Sequence, residues 1–151
     1  MLLAIMIGLY LVVDTIVAAS LSMFAAKRLA SLAIGITATL VWYHFALSVV
    51  KKRERFAQLL TALFVVSTVF TPLFMPLVST VLAQQEAKQQ PSTILMLLML
   101  VLLVWAIVVY VRVVRSAFEW PWPAALLMII GQESFTLLIF MLIFGGPQAA
   151  P

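Results

Sequence analysis

The chain has 151 residues, of which 66% are hydrophobic and 9% charged, and its mean hydropathy is +1.22. A water-soluble domain of this size is about 45–50% apolar and about 25% charged and keeps much of its surface in water, so the composition excludes a soluble globular fold and makes the bilayer the expected solvent. The net charge of +4 comes from short basic clusters between apolar runs, as in loops flanking membrane spans. There is no folded basic face of the kind a nucleic-acid surface needs, so no nucleic-acid partner is expected.

Five apolar runs are each close to the roughly 20 residues that carry a helix across about 30 Å of hydrocarbon. They cover about 2–24, 29–50, 59–83, 94–114 and 122–144. Barrel strands would be about half as long and would alternate in polarity. The predicted fold is an all-α integral membrane protein: one transmembrane domain over 1–151, a compact bundle of five helices with no soluble domain.

The first run lacks a basic n-region and holds Asp14 where a signal peptide would be apolar, so it reads as a span. It begins at residue 2, which leaves room for a longer natural N-terminus ahead of it. Asp14, Ala18 and Ser22 recur at i, i+4 and i+8, with Thr15 and Ala19 beside them, a small and polar stripe that permits close helix approach. "AAKR" (25–28) is short enough to demand a tight antiparallel hairpin into the second run. That run has Thr37 and Thr39 near its centre, then Trp42, Tyr43 and His44. The lone histidine in an aromatic patch reads as hydrogen-bonded packing, since a metal site needs several matching ligands.

"KKRER" (51–55) leads into the third run, which carries Thr71-Pro72 at its centre and Met75-Pro76 one turn on. Each proline lacks a donor and frees a carbonyl, which predicts a kink. "QQEAKQQPS" (84–92) follows, and Pro91-Ser92-Thr93 reads as a helix start with a hydroxyl N-cap. "RSAFEWPWP" (115–123) reads as the next loop, with Pro121 and Pro123 suited to a turn and a first helical turn. Arg112, Arg115, Trp120 and Trp122 are expected to anchor this end in the headgroup layer.

In the fifth run, "IIGQESFTLL" (129–138) sets Gln132, Glu133 and Ser134 side by side. At 1.5 Å per residue Glu133 is roughly 17 Å from the start of its helix, near the midplane. Asp14 is at a similar depth on a helix of the same direction. A charged carboxylate there costs at least about 2.5–3.5 kcal/mol, so a protonated, hydrogen-bonding acid is the expected form. The intramembrane polar candidates are Asp14, Glu133, Gln132, Thr71 and His44, and three readings stay open for the two acids: glue between helices, a proton or ion path using Asp14 and Glu133, and contact with a partner's membrane helix.

Lys and Arg counts on alternating sides orient the chain. Lys51, Lys52, Arg53, Arg55, Arg112 and Arg115 fall on the side of the N-terminus, against Lys27, Arg28 and Lys88 on the other, which predicts a cytoplasmic N-terminus and an external "GGPQAAP" tail. No Gly-rich phosphate loop, nucleophile elbow or HExxH motif is present, so neither enzymatic chemistry nor a cofactor is expected. The absence of cysteine excludes disulfides and thiolate chemistry.

The stretch 51–77, "KKRERFAQLLTALFVVSTVFTPLFMPL", resembles a group of uncharacterised bacterial inner-membrane proteins. There a basic loop precedes a similar helix start, matched here by Arg55, Phe56, Gln58, Thr61, Ala62 and Leu63. The five-helix, short-loop layout also looks like the broader Yip1-like membrane proteins. That resemblance implies a scaffold or organising factor in the bacterial inner membrane, acting through lipid and other membrane proteins or through self-association. The rival expectation is a small proton- or ion-coupled carrier or channel subunit.

Overall fold

The computed structural model describes residues 1–20 and 26–144, with 26–29 described by backbone alone. Among them are five α-helices and one 3-10 turn: α1 (Leu2–Ser20), α2 (Ala26–Val49), the turn Arg53–Arg55, α3 (Phe56–Glu86), α4 (Thr93–Phe118) and α5 (Trp122–Phe144). All five helices are long and apolar enough to cross a membrane. Hydrocarbon offers no partner for a peptide group, so a run of this length is stable there only as a helix that satisfies its own backbone.

The expected spans and the helices agree in number and order, and α5 has the expected bounds. α1 also starts where expected, at Leu2, while the expected end of that span at 24 lies outside the described residues; the bounds of α2, α3 and α4 differ. Lys27 and Arg28, expected in a loop, belong to the first turn of α2, while Ser22, Ala25 and the "GGPQAAP" tail lie outside the described residues. α3 begins three residues early, because the 3-10 turn delivers Phe56 with its N–H already bonded to Arg53 O. α4 continues to Phe118, so Arg115–Phe118 is helix where a loop was expected. These are adequate helix formers, and the carbonyls they expose are satisfied from outside the helix, as shown below.

Three helices end on a non-glycine residue with positive φ: Lys51 at 59°, Lys88 at 53° and Glu119 at 59°. For α2, Lys52 N bonds Leu47 O at 2.9 Å and Lys51 N bonds Ser48 O at 3.2 Å, the paired pattern of a Schellman motif. For α3 the same pair is Gln89 N to Gln84 O and Lys88 N to Gln85 O, both 2.9 Å. α4 closes with one bond only, Glu119 N to Arg115 O at 2.8 Å, which leaves its last carbonyls open. At its start, Ser92 Oγ accepts from Leu95 N at 3.2 Å, the N-cap that the sequence predicts. α3 stays helical through Pro72 and Pro76.

The helices fall into two compact units, residues 1–24 with 61–110, and residues 25–60 with 111–151. In the first, Asp14 and Ala18 of α1 are buried, and Tyr10 meets Phe64 at 5.7 Å between ring centroids. Phe70 of α3 stands edge-on to Trp105 of α4 at 5.0 Å, and Ser67 Oγ lies 2.7 Å from Tyr110 Oη. In the second unit, Tyr43, Leu47, Leu60, Val111, Val114 and Phe118 are fully buried.

α2 packs on α5 in this second unit. Trp42 lies against Phe135, with ring centroids 5.4 Å apart, and its ring also covers Gly131. A Cβ at Gly131 would fall 2.9 and 3.2 Å from two atoms of the indole, whereas Gly8 and Gly35 have nothing within 4 Å. Gly131→Ala should therefore push the indole out of place and destabilise by about 1–3 kcal/mol. Gly35→Ala should be neutral or stabilising by up to about 1 kcal/mol, as a helical Gly→Ala change is in open space. Thermal unfolding in detergent separates the two; equal effects would show that the α2–α5 contact is not this close.

Candidate functional site

The polar chemistry of the second unit gathers where the turn after α2 meets the end of α4. The single closing bond of α4 accounts for Arg115 O and leaves three carbonyls unpaired. Arg55 Nη1 donates to Ser116 O and Ala117 O, both at 3.3 Å, and Lys52 Nζ donates to Phe118 O at 2.9 Å. Two cations thus cap the negative end of the helix dipole, where positive charge is favoured. The five-span threading puts residues 51–55 and 115–119 on one side, and these bonds join them directly.

Glu119 completes the cluster. Its Oε2 is 2.7 Å from Lys52 Nζ and its Oε1 is 2.5 Å from Arg55 Nη2. Hydrogen bonds from Lys52 and Arg55, with the charge of both, hold its carboxyl below the ordinary value of 4.5. Arg53, in the same turn, faces elsewhere: its Nε donates to Ser48 Oγ at 2.8 Å.

Arg112, Arg115 and Trp120, predicted as interface anchors, come together in one cleft of about 450 Å³, lined also by Ser116, Glu119 and Pro121. Both arginines are exposed, and among the described residues neither has an ion-pair or hydrogen-bond partner. Trp120 packs on Phe118 at 4.8 Å. Trp122, the fourth predicted anchor, is exposed at the start of α5 and does not line this cleft.

The intramembrane polar residues part company. Asp14 is 3% exposed and is engaged, not free. Gln132 turns toward α2, its Nε2 donating to Thr39 Oγ1 at 3.3 Å, and Thr39 Oγ1 donates in turn to Gly35 O at 2.9 Å. Thr71 Oγ1 donates back to Ser67 O at 2.8 Å within α3. His44 is exposed and edge-on to Phe56 at 5.2 Å. Among the described residues no three His, Asp or Glu side chains meet in a way that would hold a metal ion.

Glu133 and Ser134 are exposed on the face of α5 away from Gln132 and Phe135. Among the described residues Glu133 has no hydrogen-bond or ion-pair partner. Asp14 and Glu133 belong to different units.

Five apolar helices with lipid-suited surfaces define the class: the chain is a multi-pass helical membrane protein. No family model, curated protein or solved structure matches it.

Sequence reasoning passed over Lys52, Arg55 and Glu119 as a joint cap. The available signal was topological: two loops on one side, one basic and one carrying a lone carboxylate beside a helix end. Because Glu119 is held below 4.5 in the folded chain, its stabilising contribution is present above that pH and is lost as pH falls through the lowered value. Solvent screens the pair, since the Glu119 side chain is 59% exposed, so the effect is small. Glu119→Gln should lower the melting temperature slightly at neutral pH and match the unmodified chain once the carboxyl is protonated; a difference that persists unchanged in acid would contradict the ion-pair account.

Proposed function

We propose that this is a non-enzymatic membrane protein that acts by lateral association with other membrane components, as a scaffold or organising factor of the Yip1-like kind. On this reading it sits in a bacterial inner membrane with its N-terminus cytoplasmic, which an active C-terminal alkaline phosphatase fusion would report. The observation that carries it is the outward face of α5. Leu127, Ile130, Ser134, Leu137, Met141 and Phe144 are spaced alternately three and four apart, and all are exposed. This is the seam spacing of a left-handed helix pair.

Glu133 borders the seam at its polar middle layer. A carboxyl facing hydrocarbon at that depth is costly unless another helix supplies a hydrogen-bonding group. α5 itself buries only Ala125, so its apolar face is available for a partner helix. A second copy of the chain would bring Ser134 and Glu133 to the same depth.

Interhelical hydrogen bonds in membranes are worth about 0.6 kcal/mol on average and up to about 1.7, so losing one weakens association roughly three- to eighteenfold. Capture of co-purifying membrane proteins, or of a differently tagged second copy, should survive Glu133→Gln and fall by that factor in Glu133→Leu at equal abundance. Unchanged capture in Glu133→Leu would overturn the reading. Loss of a proton-linked flux in Glu133→Gln, with capture intact, would favour a carrier instead.

A further inference from the structure

We infer that the cleft formed by Arg112, Arg115 and Trp120 is a binding site for a phosphate-bearing anion, occupied in the membrane by the headgroup of an anionic phospholipid. Arg112, Arg115 and Ser116 stand at i, i+3 and i+4 and so share one face of α4. The cleft of about 450 Å³ that they border is lined also by Glu119, Trp120 and Pro121. Two guanidinium forks and a hydroxyl are the donors that phosphate oxygens take best. Neither arginine is engaged by the protein among the described residues.

A helix C-terminus is by itself the wrong place for an anion, because its free carbonyls carry partial negative charge. Here that objection is removed. Lys52 and Arg55 take the carbonyls of 116–118, and the same two cations occupy both oxygens of Glu119, the only acid lining the cleft among the described residues. Four cations therefore face one carboxylate, with Arg112 and Arg115 as the uncommitted pair.

The whole chain points the same way. Lys51, Lys52, Arg53, Arg55, Arg112 and Arg115, less Glu54 and Glu119, account for the entire net charge of +4; the remaining three basic and three acidic residues cancel. The lipid source follows from position. The cleft surrounds the turn between the spans Thr93–Phe118 and Trp122–Phe144, so it opens at the membrane surface, where Trp120 occupies the depth that indoles prefer. Basic pockets at such sites hold anionic headgroups.

The test is native mass spectrometry of the full chain in detergent, titrated with phosphatidylglycerol, phosphatidylcholine or inorganic phosphate. The inference predicts a first phosphatidylglycerol adduct that phosphatidylcholine does not match and that millimolar phosphate does not displace. Each of Arg112→Gln and Arg115→Gln should weaken it roughly fivefold, at about one basic residue's worth of surface attraction apiece. Arg53→Gln, which removes the same charge from the neighbouring turn after α2 but outside the cleft, and Lys88→Gln should leave it within twofold. Melting without lipid checks that each variant is folded. Equal losses for Arg53→Gln and Arg112→Gln would mean diffuse attraction and overturn the site. Displacement by phosphate would overturn the lipid assignment, and unchanged binding in both arginine variants would overturn the inference as a whole.

Discussion

The surroundings of this chain cannot hydrogen-bond, and most of its structure follows from that. Inside hydrocarbon each peptide group must be paired within its own segment, which makes every long apolar run a helix and pushes every irregular stretch to a surface. The difficulty then concentrates at helix ends, where the last carbonyls have no partner in their own helix. α2 and α3 solve it with paired backbone bonds around Lys51 and Lys88. α4 solves it differently, by borrowing donors from Lys52 and Arg55 on the turn after α2. Those borrowed donors tie the loops together and set the electrostatics of the cleft beside them.

How much of this is legible in the residues depends on what each feature needs to be seen. Span number and order follow from run length, and the Trp122 and Phe144 bounds of α5 follow from an apolar run flanked by prolines and glycines. The end of α4 is not legible, because Arg115–Phe118 is polar enough to pass for a loop and is kept helical by a side chain 61 and 62 residues from the carbonyls it caps. The direction of Glu133 is hidden for another reason. A helix apolar all round has no moment to fix its rotation, so adjacent Gln132 and Glu133 look equivalent until the packing of Trp42 on Gly131 and Phe135 orients α5. The Gln132–Thr39 bond and the exposed carboxyl of Glu133 are both consequences of that one contact.

Charge is distributed as sparingly as polarity. The residues that give the chain its positive charge lie in the turn after α2 and the last turns of α4, and part of that charge neutralises a helix end and a carboxylate. Of the rest, Arg112 and Arg115 face outward in a cleft lined also by an indole. The acid in the middle of α5 also faces outward. On the readings proposed above, the two features take different neighbours, a headgroup at the surface and a helix at the midplane.

The central claim is that lipid, and not water, covers the outward faces of these helices. The chain has no cysteine, so single cysteines report without background, and a thiol reacts with a maleimide only where water lets it ionise. In membranes opened to the reagent from both sides, a cysteine at Glu54 should label at once, while cysteines at Ile130 and Leu137 should stay unlabelled until the bilayer and fold are dissolved in dodecyl sulfate. Labelling of Ile130 and Leu137 at the rate of Glu54 in intact membranes would contradict the account.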